Sequence, residues 1–392
     1  MSIQSGVGFS SNADAKKAGN EACQKAIEKV EKPSLVIAFS SVGYNQPELL
    51  AGIREISKDT PLIGCSDAGE ITGSDGPNKG GVAVMIMGSD SAVFTIGQGG
   101  KIADGAREAG TALANDIISR SKDKIKCFIM LTDVLTGNGS DIVRGIQDVA
   151  GKNTLIFGGA AGDDFNFKET FVYYNDAVIS SSIVGVGISG DFSLGMGVRH
   201  GWVPIGIPKK VTKSHGAVVE EIDGKPAISI YEEYFGAKAE DLRKEPLANL
   251  AITYPLGITT EFANELLIRD PITVDEKGAI TCAAEIPENS EVRLMIGSRD
   301  EAIAAAKFSA EKAIEQLQGK KPQAIIIFNC IARSKLLGSH AKDEIEAIHS
   351  VLGTDVPLIG FYTYGEQAPI AGSLDLAFSC FHNETAVILA LA

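Results

Sequence analysis

Three stretches of the chain share one pattern of apolar and polar positions. In each, apolar residues at helical spacing lead into a short apolar strand, a second amphipathic helix and a second apolar strand. Two further strands close each stretch, so the common order is α-β-α-β-β-β. The stretches cover residues 12–98, 102–190 and 300–392. This internal repeat predicts one structural unit that is used three times.

Capping and breaking residues set the bounds of the predicted helices. Asn45 caps one helix, Pro33 ends another, and Gly151 stops a third. The opening helices and first strands are predicted at 12–31 and 35–39, at 104–120 and 127–131, and at 300–317 and 324–328. The closing hairpins are predicted to pair 82–87 with 92–96, 171–174 with 179–188, and 376–381 with 386–391.

The predicted fold class is α/β with mixed sheets. A strand–helix–strand step makes two parallel strands with a right-handed crossover, and the closing hairpins add antiparallel strands. Helices cover one face of each sheet, giving a layered protein of two domains. Residues 206–298 are irregular, and a degenerate fourth unit is one interpretation of them. Strands are predicted there at 217–222, 250–254, 266–270, 279–283 and 292–296.

A carboxylate follows a glycine just after the second strand of each unit. These residues are Glu70, Asp163 and Glu366. Ligand sites commonly form where strands end in glycine-bearing loops. We therefore expect the three loops to face one shared hollow and to deliver polar side chains to it.

Composition excludes several classes of function. The chain has 392 residues and a net charge of −14 without a basic patch, so we expect no nucleic-acid binding. It has no apolar run of about 18 residues, so we expect no membrane insertion. None of its six cysteines forms a Cys-x-x-Cys pair, and most lie in apolar runs. We therefore expect a reducing, cytoplasmic location and no disulfide framework or metal site.

Four motifs, in order along nearly the whole chain, resemble those of the FIST family. They are the segments 64–71, 218–227 with Tyr231, 328–333 and 360–369. Gln367 stands where the family usually has an aliphatic residue. The resemblance implies a FIST N-type domain over 1–205, with two of the units, and a FIST C-type domain over 206–392, with the third.

The resemblance also implies a function. FIST domains occur in signalling proteins and have been proposed to bind small ligands such as amino acids. We therefore expect a sensory module for a small polar metabolite, with no enzyme activity. Its signal would pass to a separate protein such as a histidine kinase or chemoreceptor.

Two alternatives stay open. Some family members are described as haem-binding nitric-oxide sensors, and His200 is then the histidine to examine as an axial ligand; otherwise no cofactor is expected. The other alternative is an enzyme that depends on a cysteine or a carboxylate. Neither Cys65 nor Cys330 has a histidine close in sequence, so a small packed residue is the favoured interpretation of each.

The candidate ligand-binding residues carry opposite charges and aromatic rings. Glu366 would pair with a ligand ammonium beside Tyr364, or it would cap backbone amides in a tight turn. Arg333 would bind a carboxylate through two parallel hydrogen bonds, and that carboxylate would be either the ligand's or that of Glu366. The predicted ligand-binding set is Glu70, Asp163, Arg333, Tyr364, Glu366, Cys330, Cys65 and Arg293.

Overall fold

The computed structural model describes residues 3–73, 77–244, 249–260, 265–370 and 378–392. These residues form a mixed α/β structure with three six-stranded mixed sheets and one antiparallel sheet, which confirms the predicted fold class. Each mixed sheet belongs mainly to one repeated unit. The antiparallel sheet belongs to a segment inserted into the third unit.

The elements follow the chain in four groups. Unit 1 contains β1 (Gln4–Ser10), α1 (Ala15–Ile27), β2 (Leu35–Ser41), α2 (Gln46–Ser57), β3 (Leu62–Asp67), β4 (Glu70–Thr72), β5 (Pro77–Asn78) and β6 (Val82–Gly88). Unit 2 contains β7 (Ala92–Lys101), α3 (Ala106–Arg120), β8 (Cys127–Thr132), α4 (Gly139–Ala150), β9 (Leu155–Ala160), β10 (Val172–Tyr174), β11 (Ala177–Ile179) and β12 (Ser182–Gly190).

Unit 3 is interrupted after its first strand, β13 (Leu194–Arg199). We call residues 200–298 the insert. It contains β14 (Val203–His215), β15 (Val218–Ile222), β16 (Lys225–Pro226), α5 (Ser229–Phe235), α6 (Asn249–Thr253), β17 (Leu256–Ile258), β18 (Leu267–Arg269), β19 (Pro271–Val274), β20 (Ile280–Cys282) and β21 (Glu291–Ile296). Unit 3 resumes with α7 (Arg299–Gln316), β22 (Ala324–Cys330), α8 (Ile331–Leu337), α9 (Ala341–Leu352), β23 (Leu358–Thr363), β24 (Glu366–Pro369), β25 (Ser379–His382) and β26 (Ala386–Leu391).

The three units exchange hairpins in a closed ring. The sheets have the orders β1-β6-β2-β3-β10-β11, β7-β12-β8-β9-β24-β25 and β13-β26-β22-β23-β4-β5. Each therefore holds four strands of one unit and two strands from another. Two strands at one edge of every unit's sheet therefore come from a second unit, which links the three units.

Two of the predicted closing hairpins are wrong. Strand β6 pairs with β1 and β2, whereas β7 pairs with β12 in the next sheet. The Ser89 hydroxyl accepts the amides of Ser91 and Ala92, and this turn redirects the chain between sheets. In unit 3, β25 pairs with β24, and β26 pairs with β13 and β22. Positions 376 and 377 of that prediction lie outside the described residues.

The second predicted hairpin is correct only around its turn. Strands β10 and β11 pair across Asn175 and Asp176, while β12 is a separate strand beside β8 and β7. The predicted unit order is also incomplete, because each unit opens with a strand that the pattern analysis missed or assigned elsewhere. These opening strands are β1, β7 and β13.

The inner faces of the three mixed sheets share one core. Phe39 of unit 1, Phe157 of unit 2 and Phe328 of unit 3 all lie in it with no more than 1% exposure. The Phe39 and Phe361 ring centroids are 4.3 Å apart. Helices cover the outer faces, and at the α1–α2 crossing a Cβ on Gly52 would lie 1.9 Å from the Lys16 carbonyl oxygen. Only glycine permits that approach.

The insert differs from the units in topology. All its strand pairs are antiparallel, in the order β18-β17-β21-β14-β15-β20-β19 with β16 beside β15. Because the described insert strands contain no parallel pair, the insert is not a fourth copy of the unit. The strand predicted at 250–254 is wrong, since α6 occupies it; short apolar runs do not distinguish a strand from a buried helix.

Candidate functional site

The loops that follow β3, β9 and β23 meet at the centre of the three units. They bond directly to one another through backbone groups. The bonds run from Ala68 N to Tyr362 O (3.2 Å), from Gly162 N to Ser66 O (3.0 Å), and from Tyr364 N to Ala160 O (3.1 Å). The loops are therefore interlocked rather than separated by an open hollow at these contacts.

Two of the predicted carboxylates accept hydrogen bonds from backbone amides at equivalent positions of their units. Glu70 accepts the amide of Gly81 at 2.9 Å, and Glu366 accepts the amide of Thr385 at 3.1 Å. Gly81 and Thr385 each stand immediately before the closing strand of their unit, β6 and β26. Glu70 and Glu366 are both fully buried. Capping of backbone amides thus accounts for the recurrence of these two residues.

In unit 2 the equivalent amide is satisfied by a different residue. Ser181 precedes the closing strand β12, and its amide donates to Asp133 at 2.7 Å. The strand register also separates Asp163 from the two glutamates. Glu70 lies opposite Phe361 and Glu366 opposite Gly159, and the corresponding position of unit 2 is Val172, opposite Cys65. The spatial equivalence expected for Asp163 is therefore wrong.

Asp163 closes its own loop. Its carboxylate accepts the amides of Phe167 at 2.9 Å, Lys168 at 2.8 Å and Glu169 at 3.1 Å, and the hydroxyl of Tyr364. Residues 164, 165 and 167 have positive φ, so this turn needs the hydrogen bonds that hold it. Asp163 and Tyr364 do meet, as the sequence suggested, and here they contact each other.

Burial changes the protonation of the central acids. Burial raises the pKa of Glu366 to about 8, against the opposing effect of hydroxyl donors from Thr363 and Thr385. Burial likewise raises the pKa of Glu70 to about 7. The pKa of Asp67 is raised well above its ordinary value by burial and then by the charge of nearby Glu70. These groups hold protons at pH values where exposed acids are ionised.

Arg333 is fully buried and pairs with Glu344, not with Glu366 as one sequence hypothesis had it. Its Nε and Nη2 lie 2.9 and 2.6 Å from Glu344 Oε1. The remaining contacts go to the carbonyls of His200, Ala302 and Glu384. Arg333 thereby ties α8 to α9, to α7 and to the chain after β13.

Of the remaining predicted residues, Cys330 lies beside the central loops, opposite Thr363 of β23, and Arg293 lies away from them. Cys65 is inside β3 in the shared core, and Cys330 ends β22; burial raises the pKa of both thiols well above the usual range. Arg293 lies in β21 opposite Gly257, in the sheet of the insert. Ligand contact by any of the eight residues stays a prediction.

A cleft of 530 Å³ lies between the insert and unit 3. Arg199 stands at its wall, with Nε 3.4 Å from Glu265 Oε1 and its guanidinium carbon 5.0 Å from the centroid of Phe308. Glu301 and Trp202 also line it. The cleft thus brings one cation, two carboxylates and two aromatic rings together, and none of the eight predicted residues lines it.

His200 lies at the inner wall of this cleft. Its Nδ1 accepts the Trp202 amide at 2.9 Å, which assigns the proton to Nε2. Nε2 is 3.0 Å from Glu265 Oε1 but out of line for a hydrogen bond. Burial, followed by the charge of Arg199, lowers the pKa of His200 to about 3, so the imidazole is neutral.

A narrow recess continues inward from the cleft. Arg199, His200 and Glu265 line both spaces, and the recess also touches His382 and Thr385. The Thr385 hydroxyl donates to Glu366 at 2.7 Å. The recess, which shares its wall with the cleft, is therefore one hydrogen bond away from the Glu366 carboxyl group at the centre of the units.

No metal site is evident in the described part of the chain. No three or more His, Cys, Asp or Glu side chains there are grouped to hold an ion. The same residues include no helix with the length and apolarity needed to cross a membrane. For the haem alternative, the structure places His200 beside a cleft, with Nδ1 already bonded to the Trp202 amide.

Comparison with protein families identifies the group to which this chain is related. The FIST N domain model matches residues 34–225 and the FIST C domain model matches residues 227–369. The chain belongs to the FIST family. FIST domains are sensor modules of signal transduction, so the chain is a module of this class. The two matches adjoin within the insert, and the predicted division at 205/206 stays a prediction.

Similar proteins extend over most of the chain. The uncharacterized protein MT0656 of Mycobacterium tuberculosis is 25% identical over 94% of this chain and 95% of its own. Mb0898c of Mycobacterium bovis is 24% identical over 94% of each chain. MJ1623 of Methanocaldococcus jannaschii is 29% identical over 55% of this chain and 44% of its own.

Similarity to solved structures is weak. A cyanuric acid hydrolase from A. caulinodans aligns over 100% of this chain and 99% of its own, with 8% identity and a TM-score of 0.33. PurLQS from Thermotoga maritima aligns over 99% and 72%, with 10% identity and a TM-score of 0.23. Neither similarity bears on the function of this chain.

Sequence reasoning missed most of the cleft. The segment 199–202 is the part of the cleft that the sequence marks, because His200 stands beside Arg199 and Trp202 in a glycine-bearing loop. Glu265 and Phe308 belong to no motif, and they reach the cleft from 66 and 109 positions beyond Arg199. No local pattern could have joined them.

Proposed function

We propose that this protein is the ligand-binding sensory component of a signalling pathway. Its ligand is a small zwitterionic metabolite, an amino acid in the simplest case, bound in the cleft between the insert and unit 3. The signal passes to a separate protein such as a histidine kinase or chemoreceptor. The observation that carries the proposal is the cleft's arrangement of Arg199, Glu265 and Glu301 beside aromatic rings.

The chemistry of an amino acid matches this lining. A guanidinium binds a carboxylate through two parallel hydrogen bonds, and carboxylates accept the hydrogens of an ammonium group. Phe308 and Trp202 can cover an apolar or aromatic side chain. The volume of 530 Å³ falls inside the range of about 300–1,000 Å³ that is common for small-molecule sites.

A route from the cleft to the centre supports a sensory role. The His200 carbonyl accepts from Arg333, which also bonds to Glu344 on α9. The recess beyond His200 ends at Thr385, a donor to Glu366. A ligand that moves either group alters contacts shared by unit 3 and the insert, and this is the change that a partner would read.

The proposal involves binding without turnover, in a reducing compartment such as the cytoplasm. The cysteines are free thiols. Burial raises the pKa of the Cys65 and Cys330 thiols, so both stay protonated near neutral pH and are poor nucleophiles.

The test is a panel of the twenty amino acids, screened by thermal shift and followed by calorimetry on the full chain. A ligand that binds only the folded state stabilises it by about 2.7 kcal/mol at one hundred times its Kd. We expect at least one amino acid to raise the Tm. Arg199→Gln and Glu265→Gln should each weaken its binding about tenfold or more.

Arg107→Gln is the matched control. Arg107 is ion-paired with Asp148 and about as exposed as Arg199, at 51% against 47% of the side chain, but it lies on unit 2. It should leave binding unchanged. A panel without any Tm shift, or binding that survives both cleft variants, would contradict the proposal.

A further inference from the structure

A second cavity lies on another side of the insert, where it meets unit 2. Its volume is 260 Å³, and residues of α4, β18 and β25 line it. At about 30 Å³ per molecule, this equals the space of roughly nine waters. Leu267 and Ile370 line both this cavity and the recess near His200, so the two spaces are neighbours.

A two-point ion pair joins the two sides of this cavity. Arg144 of α4 donates from Nη1 to Glu285 Oε2 at 2.9 Å and from Nη2 to Glu285 Oε1. The side chains of Arg144 and Glu285 are 41% and 19% exposed, which places the pair at the rim. Arg144 also donates to Asp141 on its own helix at 2.9 Å.

A second guanidinium faces the cavity from β18. Arg269 is only 3% exposed, and it donates to the carbonyl oxygens of Glu285, Ile268 and Phe381 at 2.8–3.1 Å. Burial lowers the pKa of Arg269 to about 10, so it remains charged at neutral pH. The cavity wall thus carries two arginines against the single carboxylate of Glu285, within a protein of net charge −14.

Two hydroxyl groups in the wall have no hydrogen-bond partner within the described part of the chain. Ser140 Oγ and Thr260 Oγ1 are both buried and bond to none of the described residues. Ser140 is 8% exposed as a residue. A buried hydroxyl without a partner destabilises the folded protein unless a ligand satisfies it. Apolar side chains supply most of the remaining surface, among them Val143, Ile258 and Leu267, together with the polar side chains of Gln147, Ser290 and Ser379.

We propose that this cavity is a second binding site and that it takes a small organic anion, a monocarboxylate with an apolar body. The carboxylate meets the arginine-rich side and the unpartnered hydroxyls, and the apolar body lies against the aliphatic wall. This proposal stands on its own cavity and does not depend on the amino-acid site.

The test uses butyrate and benzoate as probes, with butyramide and benzamide as uncharged counterparts of the same shape. Binding to the full chain is measured by calorimetry and by ligand-observed NMR. We expect at least one carboxylate to bind and its amide to bind at least about tenfold more weakly. Thr260→Val and Ser140→Ala should weaken carboxylate binding about fivefold each.

The hydroxyl variants distinguish a ligand role from a structural one. Because these hydroxyls have no described protein partner, both variants should keep or raise the free energy of unfolding while they lose affinity. Arg144→Gln should weaken carboxylate binding and leave binding of any amino acid at Arg199 unchanged. Failure of both carboxylates to bind, equal binding of the amides, or full affinity in all three variants would overturn the proposal.

Discussion

Polar side chains have different surroundings at the centre of the three units and at the borders of the insert. At the centre, Glu70 and Glu366 are fully buried and cap backbone amides, and Arg333 is paired inside the protein. At the insert, Arg199 and Glu265 line a cleft, and a cavity is lined by two buried hydroxyls that have no partner among the described residues. The repeated loops hold backbone amides with their carboxylates, although Asp67 Oδ2 and both polar atoms of the Gln367 side chain have no partner among the described residues. At the borders of the insert, charged side chains line open spaces.

The comparison explains why the recurring motif is a poor guide to the ligand site. A repeated turn leaves the same backbone amide to be satisfied in every copy. Units 1 and 3 use a glutamate for it, and unit 2 uses Asp133, the residue that follows β8. A carboxylate that recurs for this reason marks the architecture, and its recurrence is not evidence of ligand binding.

The largest expected effect comes from breaking the central ion pair. Arg333→Met leaves Glu344 buried without its partner, and such a loss costs about 3–5 kcal/mol. Urea denaturation of the variant measures it. Arg107→Gln breaks an exposed pair and should cost no more than about 1 kcal/mol. Equal losses in the two variants would contradict the contrast between buried and exposed pairs.

The next effect is a dependence of stability on pH. The pKa of Glu366 rises from 4.5 to about 8 on folding, so the folded chain holds a proton that the unfolded chain has released. Its stabilising contribution is complete below pH 4.5 and is lost as pH rises through 8. Glu366→Gln removes this loss. The free energy of unfolding of the variant, relative to that of wild type, should therefore rise by about 2–4 kcal/mol between pH 5 and pH 9.

Chemical denaturation at pH 5, 7 and 9 measures that gain. Glu265→Gln, at the half-buried border of the insert, is the matched control, and burial raises the pKa of Glu265 as well. Its gain should be smaller, because Glu265 is 21% exposed and lies beside Arg199. A difference between Glu366→Gln and wild type that does not change with pH would be inconsistent with a buried, protonated Glu366.

A smaller effect is expected at the helix crossings. Gly52→Ala forces a methyl group to within 1.9 Å of the Lys16 carbonyl oxygen, and overpacking of this kind costs about 1–3 kcal/mol. Gly145→Ala, on the corresponding pair α3 and α4, should lose a similar amount because its Cβ would lie 2.0 Å from the Arg107 carbonyl oxygen. Thermal denaturation measures both, and a neutral result for either would argue against equivalent packing in the two units.

The smallest effect on stability belongs to the cleft. Arg199→Gln removes an ion pair at 3.4 Å between partly exposed side chains, so the free energy of unfolding should change by less than about 1 kcal/mol. Calorimetric unfolding checks this value. A loss of several kcal/mol would identify Arg199 as part of the framework and remove it from the proposed site.

The sequence predicted the parts of the fold that depend on local pattern. The helices of the units and strands such as β2 and β22 follow from periodicity and capping residues near the observed bounds. The exchange of hairpins was not predictable, because the partner of β4 is β23, almost 300 residues away. The same reason hid β13, whose sheet resumes only after the insert.

The sequence likewise predicted some features of the candidate site and missed others. The meeting of the loops around Ser66, Gly162 and Tyr362 was expected from the repeat. The role of Glu366 as an amide cap was one of two sequence interpretations, and the structure supplies the amide, Thr385. Pairing of Arg333 with Glu344 was missed, although Glu344 is a lone acid on the apolar face of α9 that carries Ala341 and Ile348, because no local pattern shows which cation faces it.

One calorimetric comparison tests the central claim most directly. An amino acid that raises the Tm of wild type is titrated into the Glu265→Gln and Glu366→Gln variants, after circular dichroism has confirmed that each variant is folded. The account predicts that Glu265→Gln loses affinity about tenfold or more while Glu366→Gln binds as wild type does. Loss of affinity in Glu366→Gln with normal binding in Glu265→Gln would contradict it and would place the ligand at the centre of the three units.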